Sequence, residues 1–188
     1  MSLRISDISN VIDSPGTRTI LVMHGSNSTR SNYICMEVSK ALVPHGYDVL
    51  TFDFRGHGES GGSVGSLGQW EARDVAGALA YLQGRGITKV GTLALSMGAS
   101  AELLAAPDHP EMRAIVADSA YADLFTILDR ERSKIWGLSS VFNPGILLVS
   151  KALYGVDPLT TEPKRAVARL GDRPVLLIHS SVDQPGRS

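Results

Sequence analysis

Ser96 stands in the run Ala94-Leu95-Ser96-Met97-Gly98, with a small residue two positions before it and another two positions after. A serine hydroxyl becomes an accessible nucleophile when a sharp strand-to-helix turn thrusts it outward, and small flanking residues let strand and helix approach closely enough for that turn. Roughly one chain in seven of this length contains such a pattern by chance, so its surroundings decide. Val90 to Leu95 (VGTLAL) reads as a strand. A helix should begin just after Ser96 and run through Glu102-Leu103-Leu104, stopping before Pro107. The serine therefore falls at the junction where the turn is needed. The competing reading is a serine that only caps a helix. If the turn exists, Gly98 should tolerate no larger side chain, whereas Gly65, in a Ser/Gly-rich loop, should tolerate one.

A second signal, Gly56-His57-Gly58-Glu59-Ser60-Gly61, matches G-x-G-x-x-G and follows a strand, as a dinucleotide-binding turn would. Its context does not fit. That turn needs a helix opening within the glycines so that its N–H groups meet a pyrophosphate. Here Glu59 to Gly68 reads as loop before a helix near Gln69, and Asp74, at the distance of the ribose-binding acid, falls inside that helix rather than at a strand end.

The elements that must position Ser96 alternate along the chain. Candidate strands are Thr19 to Met23, Tyr47 to Phe54, Val90 to Leu95, Ala114 to Asp118 and Val175 to His179, apolar on both faces as buried parallel strands are. Between them, Asn32 to Val43 and Gln69 to Leu82 carry apolar residues at helical spacing. This alternation builds βαβ units around a mostly parallel, doubly wound α/β sheet. About 55 residues separate the last two strands, far more than a crossover needs. Ala122 to Trp136 and Pro144 to Leu153 look helical within that gap, so the stretch from Tyr121 to Asp172 is expected to be a small cap-like helical insertion in a single domain spanning residues 1–188.

Composition excludes several classes. The 188 residues are 43% hydrophobic and 20% charged, which rules out a disordered or collagen-like chain. Eighteen Lys and Arg against 19 Asp and Glu, with no basic block, argue against nucleic acid as a partner. Cys35 is the only cysteine, so no intrachain disulfide and no Cys-rich zinc site can form. No metal or organic cofactor is expected. No basic start followed by an apolar run opens the chain, and nowhere do about 18 apolar residues follow one another. A soluble, cytoplasmic protein without a membrane span is the expectation.

Taken together, LVMHGSNS (Leu21 to Ser28), FDFRGHGESGG (Phe52 to Gly62), GTLALSMGAS (Gly91 to Ser100), VADSAYADL (Val116 to Leu124) and PVLLIHSSVD (Pro174 to Asp183) occur in an order that resembles the α/β-hydrolase family, in particular its esterase-like and prolyl-oligopeptidase-like serine hydrolases. The resemblance implies hydrolysis of a carboxylic ester or related acyl bond in a small-molecule substrate. Ser96 matches the nucleophile and Asp183 the acid that orients the base. Met97 and Ser26 match the positions whose N–H groups form the oxyanion hole. A peptidase or thioesterase would use the same machinery. A catalytically inactive binding module is the alternative from another class.

The family's chain order is serine, acid, histidine, and no histidine follows Asp183 in this sequence. The five histidines are His24, His45, His57, His109 and His179. His24 and His57 belong to the matched loop motifs, His45 to a helix-to-strand turn, His109 lies between prolines and His179 ends a strand; His24 and His179 are the two that could approach the site as a replacement base. The resemblance therefore implies a fold lacking its last helix-strand-helix and an activity that is impaired. A bare last strand, Val175 to Ile178, is expected to pair with another chain and make the protein a homo-oligomer.

Overall fold

The computed structural model describes residues 18–63, 65–136, 141 and 143–180. Five strands, β1 (Thr19–Met23), β2 (Asp48–Phe52), β3 (Val90–Leu95), β4 (Met112–Asp118) and β5 (Val175–Ile178), form one sheet in the order β2-β1-β3-β4-β5. Every pairing is parallel. The mostly parallel, doubly wound α/β sheet expected from the alternating pattern is present.

Helix α1 (Tyr33–Leu42) links β1 to β2, and α2 (Glu71–Gly84) carries the chain back across β1 to β3. Right-handed crossovers running in opposite directions place their helices on opposite faces. Two separate cores result. Under α2 and α3 (Met97–Ala105), Leu21, Met23, Leu50, Phe54, Leu79 and Ile115 are buried in the larger core. On the other face, Cys35 of α1 packs with Val22 and Val49.

Local chemistry sets the helix ends. Asn32 caps α1 by accepting the Cys35 N–H at 2.8 Å. The fully buried Glu71 fixes the start of α2 by accepting the Ser66 N–H at 2.8 Å, the Ser66 hydroxyl at 2.6 Å and the Gly68 N–H at 2.7 Å. Glu71 also corrects the expectation about Gly65. A Cβ there would lie 3.0 Å from Glu71 Oε1, so that loop glycine is not a tolerant position.

Among the described residues, three α-helices fall between β4 and β5: α4 (Leu124–Trp136), α5 (Asn143–Tyr154) and α6 (Pro163–Val167). The five-residue α6 went unread because a single turn opened by Pro163 shows no apolar period. Leu176, Leu177 and Ile178 of the last strand are 55%, 58% and 45% exposed. No helix among the described residues is long and apolar enough to cross a membrane.

Candidate active site

β1 and β3 are neighbours, paired Met23 with Ala94, yet the chain leaves them in opposite directions. The carboxyl ends of two such strands diverge and leave a crevice, where doubly wound sheets place their ligands. Ser96 sits at the end of β3 in that crevice with φ 51° and ψ −115°, a conformation that costs a non-glycine residue on the order of 1–3 kcal/mol. Two glycines make the turn possible. A Cβ on Gly98 would come under 3.0 Å from the His24 carbonyl oxygen, and one on Gly25 would lie 3.2 Å from the Ser96 Cβ. Backbone bonds hold the turn from both sides. The Ser96 N–H donates to the Asp118 carbonyl at 2.7 Å, and the Ser96 carbonyl accepts the Ser100 N–H at 3.0 Å. The Ser96 side chain is left exposed.

Met97 is the first residue of α3, so its N–H belongs to the turn whose donors have no partner within the helix. The register of β1 on β3 carries the loop His24–Gly25–Ser26 past the same point. Ser26, Ser96 and Met97 line one cavity of about 340 Å³, within the range of small-molecule sites. Leu124 and Ile127 of α4 supply apolar wall. A second cavity of about 450 Å³ shares Tyr121, Ile127, Arg130 and His179 with it.

The glycine-rich segment after β2 is tied to its surroundings by its own side chains. Arg55 makes a two-pronged ion pair with the fully buried Asp74 of α2, its Nη2 lying 2.6 Å from Oδ1. His57 bonds the Arg55 carbonyl through Nδ1 at 2.9 Å and accepts the Asn27 N–H on Nε2 at 3.3 Å, tying this segment to the Ser26 loop. Asp53, also buried, accepts the Arg30 N–H at 2.6 Å and the Glu59 N–H at 3.2 Å.

His24 is brought near the site without serving it. It is fully buried, its Nδ1 donates to the Gly25 carbonyl at 2.7 Å, and its Nε2 accepts the Phe54 N–H at 3.1 Å. Burial, above all, holds its pKa below the ordinary imidazole value. Both nitrogens are committed to shaping the loop, so His24 is not the replacement base that its motif suggested. His179, just beyond β5, lines the Ser96 cavity. Asp183 lies outside the described residues.

Sequence reasoning missed Tyr121. Its hydroxyl donates to the Leu67 carbonyl at 2.7 Å and its N–H donates to Ser100 Oγ at 3.1 Å, joining the β4 end to the loop before α2 and to α3. Burial raises its phenol above the ordinary range. Only its place after β4, in VADSAYADL, could have pointed to it. Among the described residues no three His, Cys, Asp or Glu side chains are grouped so as to hold a metal ion.

A family profile for serine aminopeptidase, S33, matches residues 15–141. No curated protein matches the chain. Among solved structures, an esterase from Pyrococcus furiosus aligns at 22% identity and a TM-score of 0.65, over 89% of this chain and 75% of that one. Est1E from Butyrivibrio proteoclasticus, solved with ferulic acid bound, aligns at 18% identity and 0.60, over 89% and 70%. A Xanthomonas campestris serine hydrolase without a lid aligns at 18% identity and 0.54, over 95% and 75%.

Proposed function

The chain belongs to the serine aminopeptidase S33 family of α/β hydrolases, and from that premise we propose that it hydrolyses carboxylic esters or related acyl bonds of small molecules through an acyl-enzyme on Ser96. The observation that carries this reading is the Ser96 turn itself: a strained, exposed serine held at φ 51° beside the first N–H of α3 and at the mouth of a cavity. Strain of that kind persists where surrounding structure enforces it, and here Gly25 and Gly98 do so. In the proposed reaction the Met97 and Ser26 N–H groups receive the oxyanion of the tetrahedral intermediate. Asp183 is proposed as the acid that orients the base.

Leu124, Ile127 and Arg130 line the cavity, which supports a capping role for the stretch 121–172. An aminopeptidase must also hold a free ammonium group, for which a carboxylate is the usual partner. No carboxylate lines the Ser96 cavity among the described residues, which favours an ester over a peptide substrate. The thiol of Cys35 is buried, and burial raises it to about 11, which keeps it unreactive; a cytoplasmic setting is proposed from the lone cysteine alone.

Hydrolysis of p-nitrophenyl acetate tests the reading. Turnover above buffer that falls at least about a hundredfold in Ser96→Ala supports it. Turnover unchanged by that substitution overturns it.

A further inference from the structure

We infer that Leu67 limits the size of the ester this site accepts and that Tyr121 positions it there, an inference that rests on the Ser96 reading above. Leu67 lines the same cavity as Ser26, Ser96 and Met97. Among the described residues four that are not glycine have a positive φ, and three of them, Leu67 at 59°, Ser96 at 51° and Ser119 at 59°, line this one cavity. A left-handed backbone is unfavourable for any residue with a Cβ, and Leu67 lacks the short polar side chain by which an asparagine or aspartate offsets the cost. Such a conformation persists only where neighbouring groups impose it, and it gathers at functional sites.

Two side chains impose it here. The buried Glu71 carboxylate accepts the N–H groups on either side of Leu67, that of Ser66 at 2.8 Å and that of Gly68 at 2.7 Å. The Tyr121 hydroxyl donates to the Leu67 carbonyl itself at 2.7 Å. Gly68 leaves room for that bond, since a Cβ on it would lie 2.6 Å from the Tyr121 hydroxyl. Ser66 and Gly68 are buried, while Leu67 between them stays 37% exposed. A large apolar residue held out of both cores by a strained backbone and two braces does not serve packing. What it borders is the space in front of Ser96.

At about 340 Å³ that space is near the small end for a ligand site, so one leucine takes up a sizeable share of it. Leu124 and Ile127 supply apolar wall from α4. A wall residue whose backbone is fixed on both sides cannot step aside for a larger group. In an apolar pocket one added or missing methylene changes kcat/KM by roughly 10- to 200-fold. The substrates favoured are therefore esters with small groups about the scissile bond, and Leu67 is the residue that excludes larger ones.

The test is kcat/KM of the full 188-residue chain for two pairs of esters. p-Nitrophenyl octanoate against p-nitrophenyl acetate enlarges the acyl side, and 1-naphthyl acetate against phenyl acetate enlarges the alcohol side. Leu67→Ala is expected to raise the large-to-small ratio of at least one pair about tenfold or more. Tyr121→Phe, which removes only the hydroxyl that holds the Leu67 carbonyl, should shift the same ratio in the same direction by less. A merely structural role would lower large and small esters together and leave their ratio unmoved. Leu67→Gly removes the side chain and the backbone strain at once, so it should show the relaxed ratio while melting no lower than Leu67→Ala. Both ratios unchanged in Leu67→Ala and Leu67→Gly, with turnover still lost in Ser96→Ala, overturn the role of Leu67 and leave Ser96 as the nucleophile. Ratios moved by Leu67→Ala and unmoved by Tyr121→Phe overturn the role of Tyr121. A parent chain without turnover, or turnover that survives Ser96→Ala, overturns the Ser96 reading and this inference with it.

Discussion

Gly98 brings its backbone against the carbonyl oxygen of His24 so closely that a Cβ on the glycine would come under 3.0 Å from it. The helix that follows Ser96 and the loop that follows β1 are thereby pressed together at the point where the candidate nucleophile and the candidate oxyanion donors meet.

Gly98→Ala is accordingly expected to cost about 2 kcal/mol or more, because the atom it adds meets backbone, which cannot step aside as a flexible side chain can. Gly61→Ala, with nothing within 4 Å of the added carbon, should be nearly silent. Thermal melts of the two variants compare them directly. A gap of roughly 4–8 °C is expected for a chain of this size, and equal midpoints would remove the steric basis of the turn.

Much of this arrangement was legible in the sequence, and the part that was not has a common physical cause. Small residues around Ser96, a strand before it and a helix after it are local signals, and the turn follows from them. That Ser96, Ser119 and His179 stand immediately beyond the three adjacent strands β3, β4 and β5 depends on register, which no local pattern encodes. Gly65 misled for the same reason: its neighbour Glu71 is six positions away and buried beside it for reasons of helix capping. The commitment of both His24 nitrogens required knowing that the Phe54 amide, thirty positions on, faces it. The apolar run of β5 predicts a strand, while its exposure is set by what lies beside the strand and not by its own composition.

Glu102 predicts a pH dependence of stability. It is fully buried on α3, where, among the described residues, the Thr92 hydroxyl is its one polar neighbour and is too poorly placed for a well-formed hydrogen bond to either carboxyl oxygen. Burial, above all, raises its pKa well above the ordinary 4.5. Above about pH 4.5 the unfolded chain releases this proton while the folded chain keeps it, so the folded state binds more protons and its stability falls as pH rises towards the folded pKa. The slope from this one group is at most about 1.4 kcal/mol per pH unit. Glu102→Gln carries no such proton. Urea unfolding in mildly acidic and mildly alkaline buffer should show the variant gaining on the parent chain as pH rises, and parallel curves would refute this.

Asp74 holds the segment after β2 through Arg55, and that segment reaches the Ser26 loop through the bond between His57 and Asn27. Asp74→Ala should destabilise the protein by about 3 kcal/mol, at the low end for a broken buried pair because the Arg55 side chain keeps 24% of its surface in water. Esterase activity measured well below the melting point should fall too, since the loop that carries Ser26 loses its brace. A destabilised variant with parent-like activity would sever that link.

Among the described residues the outermost strand β5 pairs with β4 alone and exposes about half of Leu176, Leu177 and Ile178. We propose that copies of the 188-residue chain associate through it, since an uncovered apolar edge strand is a template for another chain. Sedimentation at micromolar concentration is expected to show a species larger than the monomer, and Leu177→Lys to shift it towards the monomer. A parent chain that sediments as a monomer contradicts the proposal.

The central claim is that Ser96 carries the acyl group, and intact-mass spectrometry of the protein mixed rapidly with p-nitrophenyl acetate and quenched in acid tests it most directly. A transient mass increase of one acetyl group is expected, localised by peptide mapping to the segment containing Ser96 and absent from Ser96→Ala. An adduct that persists in Ser96→Ala, or ester turnover with no acetylated Ser96 at any time point, would contradict it.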